Sequence, residues 1–358
     1  MKIAIDVSPL KTGHKFRGTG SYTDNLIMAL QKYDVGNEYK FFNRGETLPV
    51  DRQELPKDID LVHYPYFEPF FLTLPLKKPF PTIVTVHDLT PLVFPKYFPR
   101  GIKGEIKWQV QSRSLLGAAA VVVDSKSSQK DITRYTGVPV GKIFVVYLAA
   151  GEKFKPLKKD GNLARVRDRY QLPEQFVLYV GDATWNKNLP GLVKAVQKIN
   201  LPLVLVGKRL AESDFDRGNL WNKDLLEVEK LTHNDKRIFK LGFVPQENLV
   251  GIYNLATVCA LPSFSEGFGL PVLEAMSCGC PVVISKCGSL PEVAGEAAFY
   301  VDPHDIDDMA NGIGEIYFNT AVGEKFRKLG FLQAQKFSWK KVAREMVKVY
   351  ERILSNKI

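Results

Sequence analysis

The sequence predicts an α/β protein made of two successive doubly wound parallel-sheet domains, and three observations lead there. Short apolar runs rich in Val, Ile and Leu alternate with helix-length periodic segments along most of the chain. That alternation stops at the charged, Pro-containing stretch Glu152–Asp160, which lacks periodicity, and then restarts. With 358 residues, the chain has room for two full cores at roughly 100–200 residues each. Two such halves predict a central cleft lined by the carboxyl ends of both sheets.

In the first half, strands are expected at Lys2–Val7, Tyr39–Phe42, Leu61–His63, Thr82–His87, Ala119–Val123 and Ile143–Tyr147. Each is short, apolar and followed by a polar segment or turn. Helical spacing through Leu26, Ala29 and Leu30 marks Ser21–Tyr33, and two more helices are expected near 103–117 and 125–136, the latter opened by Ser125 as a cap. In the second half, strands are expected at Phe176–Val180, Leu203–Val206, Ile238–Leu241, Val258–Leu261, Pro281–Ile284 and Ala298–Val301. Helices fall near 189–199, 246–254, 271–278, 305–318 and 322–335. The last segment, Ser338–Leu354, is amphipathic, with Val342, Met346, Val349 and Tyr350 on one stripe. The domains are therefore 1–160, 161–337 and a terminal helix, 338–358.

A hydrophobic fraction of 45% with 25% charged residues excludes disordered and collagen-like classes. The longest apolar runs, such as Leu115–Val123, reach about half of the ~20 residues that span a bilayer. Asp6 arrives too early for a signal-peptide core. All four cysteines lie between Cys259 and Cys287, a poor disulfide framework, so a reduced, cytoplasmic protein is expected. Cys278, Cys280 and Cys287 have no second pair or His nearby and are read as small core thiols, with no metal site.

Charge is uneven. Residues 1–159 hold 24 Lys and Arg against 15 Asp and Glu, whereas residues 160–358 hold 25 against 24. A basic first half suits either plain solubility or an anionic partner. Arg100, Lys103, Lys107 and Arg113 recur at near-helical spacing, with Ile106, Trp108 and Val110 between them. A solvated helix face, an acceptor phosphate and peripheral contact with an anionic membrane at its inner face are the readings of this stretch. Nucleic acid is not expected, because no stacking platform accompanies the bases.

Chemistry concentrates in Ser263–Gly279, which follows a strand and opens a helix. Gly267 and Gly269 let the backbone approach a ligand, Pro271 suits the first helical turn, and Gly279 suits the helix exit. Amides at such an entrance make an anion site fit for a diphosphate. Glu274, one turn in, would oppose phosphate but suits two neighbouring ribose hydroxyls. His87, followed by Asp88 at a strand's carboxyl end, is a candidate functional histidine; His63 is read as ending a strand, and Asp124-Ser125 as a cap and turn. Gly18 and Gly20 lack the third glycine of a dinucleotide fingerprint, where Thr23 stands, so NAD is not expected.

Glu266 and Glu274, seven residues between them and Gly-Phe-Gly-Leu-Pro inside, resemble the signature of the group 1 retaining glycosyltransferases (family 4) of the GT-B fold. The surroundings agree in order: a glycine loop Arg17-Gly18-Thr19-Gly20-Ser21-Tyr22, His87-Asp88-Leu89, Val180-Gly181 followed by Lys187-Asn188-Leu189, Leu241-Gly242-Phe243-Val244, and Cys280-Pro281-Val282-Val283. Phe337-Ser338-Trp339 resembles the start of the family's final helix, which crosses back onto the first domain. The resemblance covers roughly residues 1–350. It implies two Rossmann-like domains facing a cleft, the first for the acceptor and the second for a nucleotide sugar.

Carried over residue by residue, the resemblance implies that Gly18 and Gly20 form the loop that approaches the donor diphosphate and that Lys187, beside Asn186, neutralises it. Amides from Gly267 through Phe268 and Gly269 to Leu270 would cradle sugar and phosphate, Glu274 would hold the ribose, and backbone near Phe243 would select the base. His87 and Glu266 would lie beside the transferred sugar, in a metal-independent retaining transfer with Glu266 assisting rather than forming a lasting adduct. Family members often carry Arg where this chain has Asp182, which shifts charge compensation onto Lys187. The expected reaction moves a hexose from GDP-mannose, or UDP-glucose, to a saccharide or lipid-linked acceptor in polysaccharide biosynthesis. A sugar-nucleotide epimerase, a phosphorylase and an inactive nucleotide-sugar-binding protein are the alternatives.

Overall fold

The computed structural model describes residues 1–13, 18–43, 55–158 and 161–355. The chain divides into two units, one made of Met1–Ala149 with Ser338–Ile358, the other of Ala150–Phe337.

Unit 1 runs β1 (Lys2–Asp6), α1 (Gly18–Tyr33), β2 (Glu38–Phe42), β3 (Leu61–Tyr64), β4 (Thr82–Val86), α2 (Thr90–Val93), α3 (Gly101–Leu116), β5 (Ala120–Val123), α4 (Lys126–Thr136) and β6 (Ile143–Val145). Its described strands form one parallel sheet in the order β2-β1-β3-β4-β5-β6. Every residue of β3, β4 and β5 is buried. Strands covered on both faces need unbroken apolar runs, and Thr82-Ile-Val-Thr-Val86 and Ala120-Val-Val-Val123 supply them. Ser125 caps α4, its hydroxyl accepting from the Ser128 amide at 3.0 Å, and Gly137 ends it at φ +74°.

Unit 2 runs α5 (Gly161–Tyr170), β7 (Val177–Val180), α6 (Leu189–Lys198), β8 (Leu203–Val206), α7 (Lys223–Thr232), β9 (Ile238–Gly242), α8 (Gln246–Leu255), β10 (Val258–Leu261), α9 (Leu270–Ser277), β11 (Val282–Ser285), α10 (Leu290–Ala294), β12 (Phe299–Val301), α11 (Ile306–Phe318) and α12 (Thr320–Ala334). Its sheet, again parallel, has the order β12-β11-β10-β7-β8-β9. This is the doubly wound Rossmann order, and the order in which strands are added switches sides between neighbours β7 and β10. The segment Glu152–Lys158 lies on this unit: Phe154 packs edge-on to Tyr253 at 5.9 Å, and the Leu157 amide donates to Asn254 at 2.7 Å.

The last helix, α13 (Trp339–Ser355), returns to unit 1 and packs on α1. Trp339, Val342, Ala343, Met346, Val349 and Tyr350 form its buried stripe. Tyr350 donates or accepts at 2.9 Å with His63, which is wholly buried inside β3 rather than at its end.

Periodicity located most elements within a residue or two. Gly18 and Gly20 differ from expectation: they belong to the first turn of α1 and not to a loop, and Arg17 lies outside the described residues. Four helices have no counterpart in the sequence reading: α2, α5, α7 and α10. Of these, α2 and α10 are four and five residues long with no side-chain cap bond, while α7 buries Leu225, Val228 and Thr232 at a spacing that was there to be read. Trp108 sits in the core, leaving Ile102, Ile106 and Leu116 as the exposed large apolar residues of α3. Among the described residues no helix is long and apolar enough to cross a membrane.

The α13 stripe should carry much of unit 1's stability. Met346→Ala, at a fully buried position, is expected to cost about 2–5 kcal/mol in chemical denaturation. Exposed Lys348→Ala should stay within about 0.5 kcal/mol. Equal effects would show that the stripe does not anchor the helix.

Candidate functional site

In unit 2 the fold brings two loops together where β7 and β10 end side by side. The first leaves β7, makes a single 3₁₀ turn at Trp185–Lys187, and enters α6 through Asn188 at φ +52°. The second leaves β10 and reaches the entrance of α9 at Gly269. They are laced by backbone and side chain: the Phe264 amide donates to the Asn186 carbonyl at 2.8 Å, and Asn186 Nδ2 donates to the Ser265 carbonyl at 3.0 Å. Trp185 stacks on Phe264 at 4.9 Å and 23°, and Phe264 stacks on His304 at 4.8 Å, contacts worth about 0.5–1.5 kcal/mol each beyond burial.

That lacing aims Lys187 at Glu266. The ammonium donates to Glu266 Oε1 at 2.8 Å and to Oε2 at 2.7 Å. Ser263, fully buried, adds a hydroxyl donor to Oε1 at 2.6 Å. The Glu266 backbone is fixed too, since its carbonyl accepts from the Ser289 hydroxyl at 3.0 Å and from the Ser289 amide at 3.3 Å. Gly288, at φ +58°, permits this approach: a Cβ there would come within 2.8 Å of the Glu266 carbonyl oxygen. Ser285 donates in turn to the Ser263 carbonyl. Ser263 opens the stretch singled out by motif but has no role there, and Gly288 and Ser289 lie outside it, their only signal being small residues before a Leu-Pro helix start.

Three residues beyond Glu266, Gly269 turns the chain into α9 at φ +95°, where a Cβ would strike Leu290 at 2.6 Å. As N-cap it offers no side chain to the helix amides, and Pro follows in the first turn. Phe268 is buried against Phe337, edge to face at 6.1 Å. Glu274 lies inside α9, nearly buried, and accepts from Tyr253 at 3.0 Å. Burial pushes its carboxyl up to about 8, against a small downward pull from Tyr253. A carboxyl group so held can donate one hydrogen bond and accept another, which suits a vicinal diol. Asn186, Lys187, Glu266 and the Gly267–Leu270 entrance thus share one locus, with Glu274 behind it. Phe243 stands apart, half-exposed after edge strand β9, two strands from β7. Asp182 offers its carbonyl to the Tyr179 hydroxyl at 2.5 Å.

Unit 1 has its own polar locus. His87 follows β4 and Asp124 follows β5, after the paired residues Val86 and Val123. His87 Nδ1 lies 2.6 Å from Asp124 Oδ2, and Nε2 lies 3.2 Å from the Pro65 carbonyl. Asp124 is therefore the histidine's partner and not part of the cap; only Ser125 caps α4. Gly20 is buried and Gly18 exposed at the start of α1. Of the basic residues on α3, Arg100 pairs with Glu105 at 2.6 Å and lies over Phe70, and Lys107 lies over Phe71 at 5.2 Å. Lys103 and Arg113 are exposed.

Residues 165–331 match the family described as Glycosyl transferases group 1, and residues 36–149 match Glycosyltransferase Family 4. The O-antigen chain mannosyltransferase B of Escherichia coli is 34% identical, over 98% of this chain and 92% of that protein. A D-inositol 3-phosphate glycosyltransferase of Mycobacteroides abscessus is 25% identical over 99% of this chain and 81% of its own. Among solved structures, sucrose-phosphate synthase of Thermosynechococcus elongatus matches with a TM-score of 0.76 at 23% identity, covering 99% of this chain and 100% of that one. The Anabaena protein HepE, crystallised with UDP and glucose, matches with a TM-score of 0.73 at 17% identity over 98% and 100%. These two structural likenesses concern the fold.

Glu274 makes stability depend on pH. The folded chain holds this proton more tightly than the unfolded one, so the contribution is full below about 4.5 and is lost as pH rises toward about 8. Thermal midpoints of the ligand-free protein should fall over that window, and Glu274→Gln should flatten the fall. An unchanged slope in the variant would show the carboxyl to be ionised throughout.

Proposed function

The chain belongs to the group 1 glycosyl transferases, with a family 4 first half, and from that premise we propose that it moves mannose from GDP-mannose, with retained configuration, to a lipid-linked saccharide. It is a nucleotide-sugar-dependent glycosyltransferase with a GT-B fold. The observation that carries the finer reading is Lys187, held at the entrance of α9 where β7 and β10 part. Mannose and a growing saccharide are supported by the E. coli relative, whose name is that of an O-antigen chain mannosyltransferase.

The chemistry follows from charge. A departing nucleoside diphosphate leaves negative charge on phosphate oxygens, and an ammonium with preorganised amides meets it without reorganisation. In the ligand-free protein Glu266 balances Lys187; a diphosphate arriving at the α9 entrance shares that ammonium. Because an ammonium and amides supply the compensation, no divalent ion is assigned. Glu266 Oε1 accepts from both Lys187 and Ser263, and Oε2 accepts from Lys187. Oxygens so engaged are poor nucleophiles, which supports an assisting role over a lasting covalent adduct. Retaining glycosidases, by contrast, use a free carboxylate paired with another about 5 Å away. Glu274 is assigned to the ribose, and His87 in unit 1 to a sugar hydroxyl.

For the acceptor, unit 1 offers α3. Ile102 and Ile106 are 82% and 60% exposed, beside Lys103 and Lys107 on the same turns, with Phe71 58% exposed under the Lys107 amine. Apolar tips flanked by ammonium groups suit an anionic lipid surface, each cation adding about 1 kcal/mol there.

A panel of nucleotide sugars in EDTA should give nucleoside diphosphate release that is fastest with GDP-mannose, and NMR of the product should show the donor's anomeric configuration. Lys187→Ala should lower release by about 10²–10³. Because that variant strands a buried carboxylate, Lys187→Ala with Glu266→Gln serves as the folded control. An unchanged rate, or binding without turnover on any acceptor, would overturn the reading. Separately, vesicles containing anionic lipid should pull down the wild type at least tenfold more than Ile102→Asp/Ile106→Asp. Equal sedimentation would remove α3 from the lipid surface.

A further inference from the structure

We propose that Asp124 is a positioning residue that keeps His87 doubly protonated, so that His87 shares its Nε2–H with a sugar oxygen and takes no proton from it. The inference rests on the assignment of His87 to the sugar and deepens it.

Both ring nitrogens of His87 face oxygen acceptors. Nδ1 meets Asp124 Oδ2 at 2.6 Å, and Nε2 meets the Pro65 carbonyl at 3.2 Å. A carbonyl only accepts, so Nε2 must carry a hydrogen. A neutral imidazole has no second one, which would leave the Nδ1 lone pair against a carboxylate. The short contact therefore holds a proton of its own. Imidazole is a stronger base than carboxylate by about 2–3 pKa units, so that proton belongs on the ring.

Burial and the charge of Asp88 push the Asp124 carboxyl up, and the His87 ring beside it pulls it down. Asp124 Oδ1 is buried with no hydrogen-bond partner among the described residues, so the carboxylate's hydrogen bond is the one from the ring to its other oxygen. On the next residue, Asp88 adds a second negative field. From β3, His63 is pinned between Tyr350 at 2.9 Å and Thr85 at 2.8 Å. Burial, with repulsion from His87 behind it, pushes His63 down to about 3, so it stays neutral. From α1, Tyr22 meets the His87 ring edge to face at 4.7 Å, its hydroxyl engaged with Thr85 at 3.1 Å. From α4, Ser128 donates to the His87 carbonyl at 3.0 Å, and Asp131 lies within the field of Asp88. Burial opposes charge on His87, yet Asp124, Asp88 and the Pro65 carbonyl together hold its pKa above the ordinary 6.5. The ring keeps 16% of its side-chain surface open while Asp124 keeps 3%, so a ligand reaches the histidine and not the carboxylate.

The geometry has a chemical consequence. The Nε2–H bond to the Pro65 carbonyl is long, at 3.2 Å, so an arriving hydroxyl can share that hydrogen as a second acceptor, and removal of the acceptor's proton falls to another group, such as a leaving phosphate oxygen.

Nitrogen-15 spectra of the full chain, labelled at its five histidines, test this directly. In the wild type both ring nitrogens of His87 should remain protonated above pH 6.5, past the ordinary histidine midpoint. In Asp124→Asn the transition should fall by at least one unit, with Asp124→Glu restoring part of it, and the alkaline limb of kcat/KM should move by the same amount. A wild-type ring that is neutral at pH 7, or an Asp124→Asn ring that titrates with the wild type, would overturn the proposal. The wild-type spectrum decides even if both variants fail to fold. A protonated ring in a protein that transfers no sugar would support this assignment while sinking the proposed reaction.

Discussion

Opposite charges on Lys187 and Glu266, largely withdrawn from water, are the constraint to which unit 2 is built. Taking either partner out of solvent alone is costly, and removing one from a buried pair costs about 3–5 kcal/mol. The two side chains must therefore arrive together from segments far apart in sequence. Parallel neighbours β7 and β10 make this possible, because both strands deliver their following loops to the same edge. Ser263 then holds the carboxylate with its hydroxyl, Ser289 and the bare Gly288 fix the Glu266 backbone, and Ser285 fixes the Ser263 carbonyl.

Unit 1 repeats the device with weaker charges. Adjacent strands β4 and β5 end one residue before His87 and Asp124, so register alone sets the ring beside the carboxylate. In each unit a cation-forming group is steered by an acid from the neighbouring strand. The difference lies in exposure: Lys187 and His87 keep an open edge, whereas Glu266 and Asp124 are sealed. An anion or a hydroxyl arriving from solvent thus meets the donor side of each pair.

Much of this was legible beforehand, and what was not has physical causes. Buried parallel strands announce themselves because both faces demand Val, Ile and Leu, and β5, β8 and β11 were located this way. The Gly267–Gly279 stretch was legible because a tight entrance, a Pro in the first turn and a Gly at the exit each leave a distinct residue type. Asp124 was misread because Asp before Ser at a strand end is also the commonest way to start a helix; its partner is 37 positions away, which local pattern cannot see. Gly18 and Gly20 were read as loop because glycine is a poor helix former, but packing of Tyr22, Leu26 and Leu30 carries α1 back through them. The serines around Glu266 carry no periodic or charge signal at all.

One feature of the topology bears on how the chain is made. Unit 2 is continuous in sequence, whereas unit 1 is completed only by α13, whose Tyr350 closes on His63 from the far end of the chain. On a ribosome the first domain to emerge therefore waits as an open-sided sheet, with the groove for α13 unfilled, until α13 itself leaves the exit tunnel. The second domain can finish first. Synthesis order and folding order are thus inverted, and the nascent first half, with its apolar groove bare, is the stage at which a chaperone would have most to hold.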